Sequence, residues 1–374
     1  MSKRFTAVAG ALLTAVALAT AAAAQAPRIG NGRLTTQGAG TPFVQSFRSL
    51  VGAQADVAWI GYTVPVVDGD RRMCCGDGGG TYISGSVIMV DGNNCCSACR
   101  LEPSSSQTAT AARPQSAAPI QLEAPSQMAV LFRVADKQVE RVRVFSSDCE
   151  LDAGGRPVVW LENVRPGDSI ALLESLIPKE PERKDRVTDG AISAIALHRD
   201  AGADAALDRL VAPGQPASIR KKVTFWLGHA RGAHGMAVLR QILDNDASKD
   251  VRKGAVFGIS QSEQPGSYDV LIQAARSNSD PDIRGEAIFW LGQKAGAKAS
   301  AAITESIDKD PETEVKKRAV FALSQLPANE GVPKLIEVAA SHSNPAVRKQ
   351  AMFWLGQSKD PRALAFFERI LFAK

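Results

Sequence analysis

One helical segment is written three times at a fixed interval. "VTFWLGH" (223–229), "AIFWLGQ" (287–293) and "AMFWLGQ" (351–357) place Phe225, Phe289 and Phe353 64 residues apart. At half that step, "FGISQ" from Phe257 and "FALSQ" from Phe321 fill the gaps, so phenylalanine recurs every 32 residues. Leu227, Ile259, Leu291, Leu323 and Leu355 run beside it. Ile219, Val251, Ile283, Val315 and Val347 run upstream, each followed by Arg or Lys. A degenerate sixth copy starts at Val187, with Ser193 in place of the phenylalanine. Matched columns at one period are the mark of a stacked repeat.

Each unit reads as two helices. Helix A, such as "VRKGAVFGISQ" (251–261), is apolar on several sides, and breakers such as Asp280-Pro281 and Asn344-Pro345 precede it. Helix B, such as "YDVLIQAARSN" (268–278), carries one apolar stripe. A single hairpin cannot bury these faces; stacked copies cover one another. A buried ring removes about 150–250 Å² from water, which makes the phenylalanine column the expected main line of cohesion.

"DPDIRGEAIFWLGQ" and "NPAVRKQAMFWLGQSKDPRAL" resemble the bacterial HEAT-like repeats of phycobilisome lyases. The resemblance covers 187–374 and implies an all-α solenoid of about six 32-residue hairpins serving as an interaction scaffold. No lyase residue can be matched, so that activity does not carry over. "WIGYTVPVV" and "RVRVFSSDCELDAGG", joined to such repeats, look like secreted bacterial HEAT-repeat proteins with a cysteine-containing N-terminal β domain. The whole chain is therefore expected to be multidomain, a small mainly-β domain preceding the α-solenoid.

The start of the chain reads as a signal peptide. Lys3 and Arg4 precede an apolar run from Phe5 to Ala24, and Ala22-Ala23-Ala24 offers a cleavage site, giving a leader over 1–24. No later stretch is apolar enough to span a bilayer. Export to the periplasm or outside the cell is the expectation, and there disulfides persist. Residues 25–55 read as a flexible segment, 56–178 as the β domain with a flexible insert at 103–118, and 179–186 as the linker. "MAVLFRVADKQVERVRVFS" (128–146) reads as a hairpin and "SIALLESLI" as a strand or short helix. A sandwich or partly open barrel is expected for this half.

All six cysteines, Cys74, Cys75, Cys95, Cys96, Cys99 and Cys149, lie in that half. Disulfides are the reading an oxidising compartment favours. The alternatives are a thiolate metal site from Cys75, Cys96 and Cys99 with one of Cys74 or Cys95, and redox chemistry at Cys96-x-x-Cys99, which lacks a thioredoxin-like context. "GDSI" (167–170) lacks the late Asp-x-x-His pair of GDSL-type esterases and reads as a turn. "GDGGG" (76–80) lacks the lysine of a phosphate loop. Of the four histidines, His198, His229, His234 and His342, none sits in a metal-binding motif, so solvent or capping roles are expected.

The formal net charge of +5 does not point to nucleic acid. Binding candidates are the recurring side chains. Trp226, Trp290 and Trp354 occur in alternate units, with Gly258 and Ala322 between them, and read either as interlocking core or as a ligand platform. Lys221, Lys253, Lys317 and Lys349 follow the Arg/Lys column and read either as partners of turn acids (Asp250, Asp282, Glu314) or as a positive stripe. In the last helix, Phe366 and Phe372 are expected to add apolar surface for a partner or a second copy. The function expected is a non-enzymatic exported scaffold, without cofactor, that binds a protein or peptide through helix B and the A–B loops. A metal-binding or thiol-redox module and a self-assembling envelope protein are the alternatives.

Overall fold

A computed structural model describes residues 28–69, 82–83, 86–87, 99–102, 126–147, 150–181, 185–294 and 297–372. The leader call at 1–24 and the insert call at 103–118 lie outside the described residues. So do Cys74, Cys75, Cys95, Cys96 and Cys149, and with them the disulfide, metal and redox readings.

The N-terminal region begins with β1 (Ile29–Gly30), β2 (Arg33–Gly38), α1 (Phe43–Ala53) and β3 (Ala58–Pro65). After β4 (Tyr82–Ile83), β5 (Ser86–Val87) and β6 (Cys99–Arg100) come β7 (Gln127–Ala135), β8 (Gln138–Ser146), β9 (Leu151–Asp152), β10 (Pro157–Glu162) and α2 (Pro166–Ser175). The main sheet runs β2-β10-β3-β7-β8, parallel at β2/β10 and β10/β3 and antiparallel at the other two joints. The hairpin read at 128–146 forms as expected. Its turn puts Asp136 and Lys137 at φ 49° and 59°, the primed geometry that suits the strand twist.

Alternation along β3 and β7 gives the sheet two apolar faces. Trp59, Leu131, Phe145 and Trp160 pack on one, under a small β1-β9-β6 sheet. Ile60, Tyr62, Val130 and Phe132 face the other way, onto Phe43 and Phe47 of α1 and Leu172 and Leu173 of α2. Two expectations are corrected. The segment 25–55 is not a loose lead-in, because an amphipathic helix with Phe43, Phe47 and Val51 buried covers the sheet. Among the described residues the region is a helix-backed mixed sheet, neither sandwich nor barrel, and "SIALLESLI" begins in helix α2.

Twelve helices follow as six hairpins: α3 (Arg186–Leu197) with α4 (Ala201–Val211), α5 (Ala217–Ala230) with α6 (Gly232–Asn245), α7 (Lys249–Gln261) with α8 (Ser267–Ser277), α9 (Pro281–Lys294) with α10 (Ala297–Lys309), α11 (Thr313–Ser324) with α12 (Ala328–Ser341), and α13 (Pro345–Gln357) with α14 (Pro361–Phe372). Each A helix stacks on the next, and each B helix from α6 on also packs on the following A helix. The fully buried stripe of helix A holds three columns at i, i+4 and i+8. They are Ile219, Val251, Ile283, Val315, Val347; Val223, Ala255, Ala287, Ala319, Ala351; and Leu227, Ile259, Leu291, Leu323, Leu355. The phenylalanine column is only half-buried, and Phe353 is exposed. Cohesion therefore rests on the aliphatic columns, not on the rings.

The 64-residue interval has its own cause. A Cβ on Gly228 would lie 1.8 Å from the Gly258 carbonyl oxygen, and one on Gly292 would lie 2.8 Å from the Ala322 Cβ. So α5/α7 and α9/α11 approach closely, residue 258 or 322 being small for that reason. At the alternate joints Trp290 and Trp354 are laid against Phe257 and Phe321, centroids 4.6 and 4.9 Å apart. Close and tryptophan-filled joints alternate, and two hairpins make one true period.

The sheet region and the array share a core. α3 lies on β8 so tightly that a Cβ on Gly190 would meet the Val142 carbonyl oxygen at 2.2 Å. The chain beyond β3 lies against the α3–α4 loop, through Val67 N–H to Leu197 O (2.9 Å) and Arg199 Nε–H to Val66 O (2.9 Å). One apolar cluster runs from Phe43 to Phe366. The boundary expected at 179–186 separates two kinds of secondary structure, while the core crosses it.

The glycine contacts give a paired prediction. Gly228→Ala should destabilise the protein by at least about 2 kcal/mol, because backbone must move. Gly356→Ala, at the equivalent place with nothing within 4 Å, should stabilise by about 0.5–1 kcal/mol through helix propensity. Urea unfolding of both variants checks the contrast; equal effects would remove the close-joint account.

Candidate functional site

The half-buried rings form one ribbon along the A helices. Phe225 stacks on Phe257 (centroids 5.6 Å, 20° between planes), and Phe289 stacks on Phe321 (6.0 Å, 9°). Trp290 and Trp354 join these pairs across the wider joints, and Phe353 ends the line against Trp354 at 5.0 Å. At the other end His229 stacks on Phe225 at 5.3 Å. Trp290 is buried and donates Nε1–H to Glu286 Oε1 (2.9 Å). Trp226 and Trp354 are half-buried. The tryptophans thus fill joints, and the phenylalanine edges between them reach solvent.

Two polar columns border the ribbon. Lys221, Lys253, Lys317 and Lys349 stand one turn before the rings. Lys253 lies 3.8 Å from Asp282, and Lys317 pairs with Glu314 at 3.0 Å. Lys221 and Lys349 are exposed. Asp282 and Glu314 are two of the turn acids expected, and they dilute the positive stripe. One turn after the rings come His229, Gln261, Gln293, Gln325 and Gln357, an amide column at the same 32-residue step. Sequence reasoning passed over it although the spacing was there to be read. Gln261 and Gln325 each donate to the preceding serine (2.9 and 3.0 Å), and Gln293 and Gln357 are exposed.

The first basic column points inward. Arg220 makes a fork to Asp246 (Nε–Oδ2 and Nη2–Oδ1, both 2.9 Å), and Arg284 makes one to Asp310 (2.7 and 2.9 Å). Each aspartate also accepts the backbone N–H two residues on, that of the N-cap residue, so it braces the turn that leads into the next A helix. The rest of each guanidinium caps carbonyls after the preceding B helix, as Arg284 Nη1 does at Asn278 O (3.0 Å). The like-charge cost of a cation in a helix's first turn is offset by this double use. Both forks lie at the close joints; at the others, Arg252 holds Asp280 by one 2.9 Å bond and Lys316 only caps Ile307 and Asp308 carbonyls.

Residues 236–324 and 300–373 match the family model for HEAT repeats. Over those residues the array is similar to HEAT repeats. Solved structures with similarity include the CpcE–CpcF complex of phycocyanin lyase from Nostoc sp. PCC7120 (24% identity, TM-score 0.33, covering 42% of this chain and 100% of that one). Human deoxyhypusine hydroxylase (19%, TM-score 0.24, 54% and 77%) and Escherichia coli YibA (15%, TM-score 0.33, 55% and 76%) are also similar. Scores this low carry no activity or partner across. No curated protein matches.

Other site calls resolve individually. Phe366 is 3% exposed and packs inward with Ala363, whereas Leu364 (62%), Leu371 (77%) and Phe372 (80%) face out. Phe372 is exposed as expected, but the assignment of Phe366 is reversed, because α14 turns Ala363 and Phe366 toward α12 and α13. Among the described residues no group of three or more His, Cys, Asp or Glu is placed to hold a metal, and no helix is long and apolar enough to cross a membrane. On the helix-B side of the HEAT array, a shallow hollow is lined by Met236, Arg240 and Pro265.

Ser169 of "GDSI" does meet a histidine, but in a sealed place. Tyr62 Oη lies 2.8 Å from Ser169 Oγ, which lies 2.9 Å from His198 Nε2, and His198 Nδ1 lies 2.6 Å from Ala194 O. A carbonyl only accepts, so Nδ1 carries the proton, Nε2 accepts from Ser169, and Ser169 accepts from Tyr62. All three side chains are fully buried. They form a polar bolt between β3, α2 and the first hairpin of the array, and "GDSI" opens a helix instead of a turn. His198 caps α3, but from the interior and not from solvent.

Burial moves these groups in opposite directions, holding the Tyr62 phenol well above its ordinary value and His198 down to about 4 from 6.5. Folded His198 is neutral where unfolded His198 takes a proton, so stability falls as pH drops from about 6.5 to about 4. The two values correspond to a loss of about 3 kcal/mol at most. His198→Gln should be less stable at pH 7.5 yet flatter between pH 6.5 and 4.5 in urea unfolding. An unchanged slope would remove His198 from the acid response.

Proposed function

We propose that the protein is an exported scaffold whose HEAT array binds an extended segment of a protein partner along the aromatic ribbon. The carrying observation is that the ribbon is surplus to cohesion: separate aliphatic columns hold the stack, yet rings recur at every unit from Phe225 to Phe353 with their edges open. HEAT repeats are interaction scaffolds as a class, which supports the general reading. The A-helix ribbon replaces helix B and the A–B loops as the contact surface.

The chemistry follows from the three columns. Rings cover apolar side chains, glutamine amides donate to and accept from a peptide backbone, and Lys221 and Lys349 favour an acidic flank. Neighbouring A helices stand about 8–10 Å apart. A polyproline-II turn advances about 9.3 Å in three residues, so one unit reads about one apolar residue in three. The export part of the proposal rests on the leader pattern at 1–24.

Peptide-phage selection on the whole protein tests this. Enriched peptides should carry apolar residues at every third position and lose at least about tenfold in affinity for Phe257→Ser/Phe321→Ser, a typical cost for losing aromatic anchors. Enriched peptides that bind this double variant as well as the parent would defeat the ribbon reading.

A further inference from the structure

The outer face of α13 repeats, residue for residue, the faces that α5 and α9 present to the next A helix. In α5 and α9 three elements of that face are occupied. Arg220 and Arg284 are forked to an aspartate in the turn just before the next A helix. Gly228 and Gly292 lie against small residues, Gly258 and Ala322. Phe225 and Phe289 stack on the next phenylalanine. In α13 the same positions are Arg348, Gly356 and Phe353, and they stand open. Arg348 uses Nη1 to cap His342 O (2.7 Å) and Ser343 O (3.0 Å), and among the described residues no carboxylate meets its Nε and Nη2. Gly356 has nothing within 4 Å, and Phe353 is 54% exposed. Leu364, Leu371 and Phe372 extend the apolar area from α14.

We infer that this face is a docking site for a HEAT-type A helix from another protein: a helix with an aspartate in the turn just before it, a phenylalanine about three turns on from that aspartate, and glycine or alanine directly after the phenylalanine. Each requirement is the complement of an open group. The aspartate completes the Arg348 fork, the phenylalanine stacks on Phe353, and the small residue lets the two backbones close over Gly356. Charge argues the same way. Arg348 and the exposed Lys349 stand together at one end of the face, so that end is positive and calls for a carboxylate. A second copy of this chain is a poor occupant. Its A helices with an aspartate at that place, α7 and α11, are packed inside its own array, α3 is covered by β8, and α13 has His342 there and Trp354 where a small residue is needed. The inference concerns a different surface from the ribbon and does not depend on it.

The test uses the whole protein and a fluorescein-labelled, hydrocarbon-stapled peptide of residues 310–325, the α11 segment that fills the equivalent site on α9. Fluorescence anisotropy should show saturable binding. Gly356→Leu, Arg348→Lys, and Asp310→Asn or Ala322→Trp in the peptide should each weaken it at least about tenfold, the usual scale for an unfilled fork or a blocked contact. Arg348→Lys keeps the carbonyl caps, as Lys316 does, and Gly356→Leu projects into open space, so neither variant should melt below the parent. Phe257→Ser/Phe321→Ser should bind the peptide unchanged, which separates this result from the ribbon test. No saturable binding, or binding indifferent to Gly356→Leu, overturns the inference. So does a wild-type dimer in sedimentation velocity that Gly356→Leu dissociates, which would make a second copy the occupant.

Discussion

The close approach of helix backbones at Gly228 and Gly292 governs the rest of the array. A helix can come that near another only where neither contributes a Cβ of any size, so glycine on one side demands glycine or alanine on the other. Once two A helices are that close, the guanidinium of one reaches the aspartate in the turn before the next with both nitrogens. A buried ion pair is weak evidence of net stability but a good device for fixing register. Arg220–Asp246 and Arg284–Asp310 act in that way: a slip of one residue would leave two charges unpaired in the interior. The next joint cannot be equally close, because the same helix that offers glycine forward offers tryptophan backward.

At the other end, the array does not simply stop. Its first hairpin lacks the ring, with Ser193 in that place, and lies under β8. The Tyr62–Ser169–His198 chain then ties sheet, helix and hairpin through atoms that have lost all access to water. An unpaired polar atom there costs roughly 1–3 kcal/mol, so the three groups hold one arrangement or none. The sheet region is in effect the cap of the solenoid, which explains why a single core runs through both. Among the described residues only the sixth hairpin shows an open stacking face.

The array was legible in the sequence because its causes are periodic. Helix pairs, breakers and buried columns all recur at 32 residues, and all six hairpins form where that period puts them. What periodicity could not tell was depth. Phe257 and Ile259 recur equally well, yet one is half-open and the other sealed, since a helix inside a stack has three contact faces and one free edge. The glutamine column escaped notice because surface amides carry no hydropathy signal. In the N-terminal half, strands β3, β7, β8 and β10 showed through their alternation. Helix α1 did not: "FVQSFRSLVGA" follows a glycine-rich stretch, and its apolar stripe of Phe43, Phe47 and Val51 is only three residues deep. Phe366 was misassigned for a related reason. In "RALAFFERILF" both faces of α14 are apolar, and only the packing against α12 and α13 chooses between them.

Alternating joints also set where the array can bend. Within each close pair, a fork, a glycine contact and a stacked ring pair act together. Between pairs, Arg252 and Asp280 share one bond with Nε of Arg252 left unpaired in the interior, and Lys316 caps the Ile307 and Asp308 carbonyls with no ion pair among the described residues. Flexing costs least at α11/α13, where Trp354 can tilt over Phe321 and no ion pair joins the two helices among the described residues, whereas at α7/α9 Lys249, Arg252 and Lys253 all meet Asp280 or Asp282. The two tryptophan-filled joints therefore differ, and the last one is the softer.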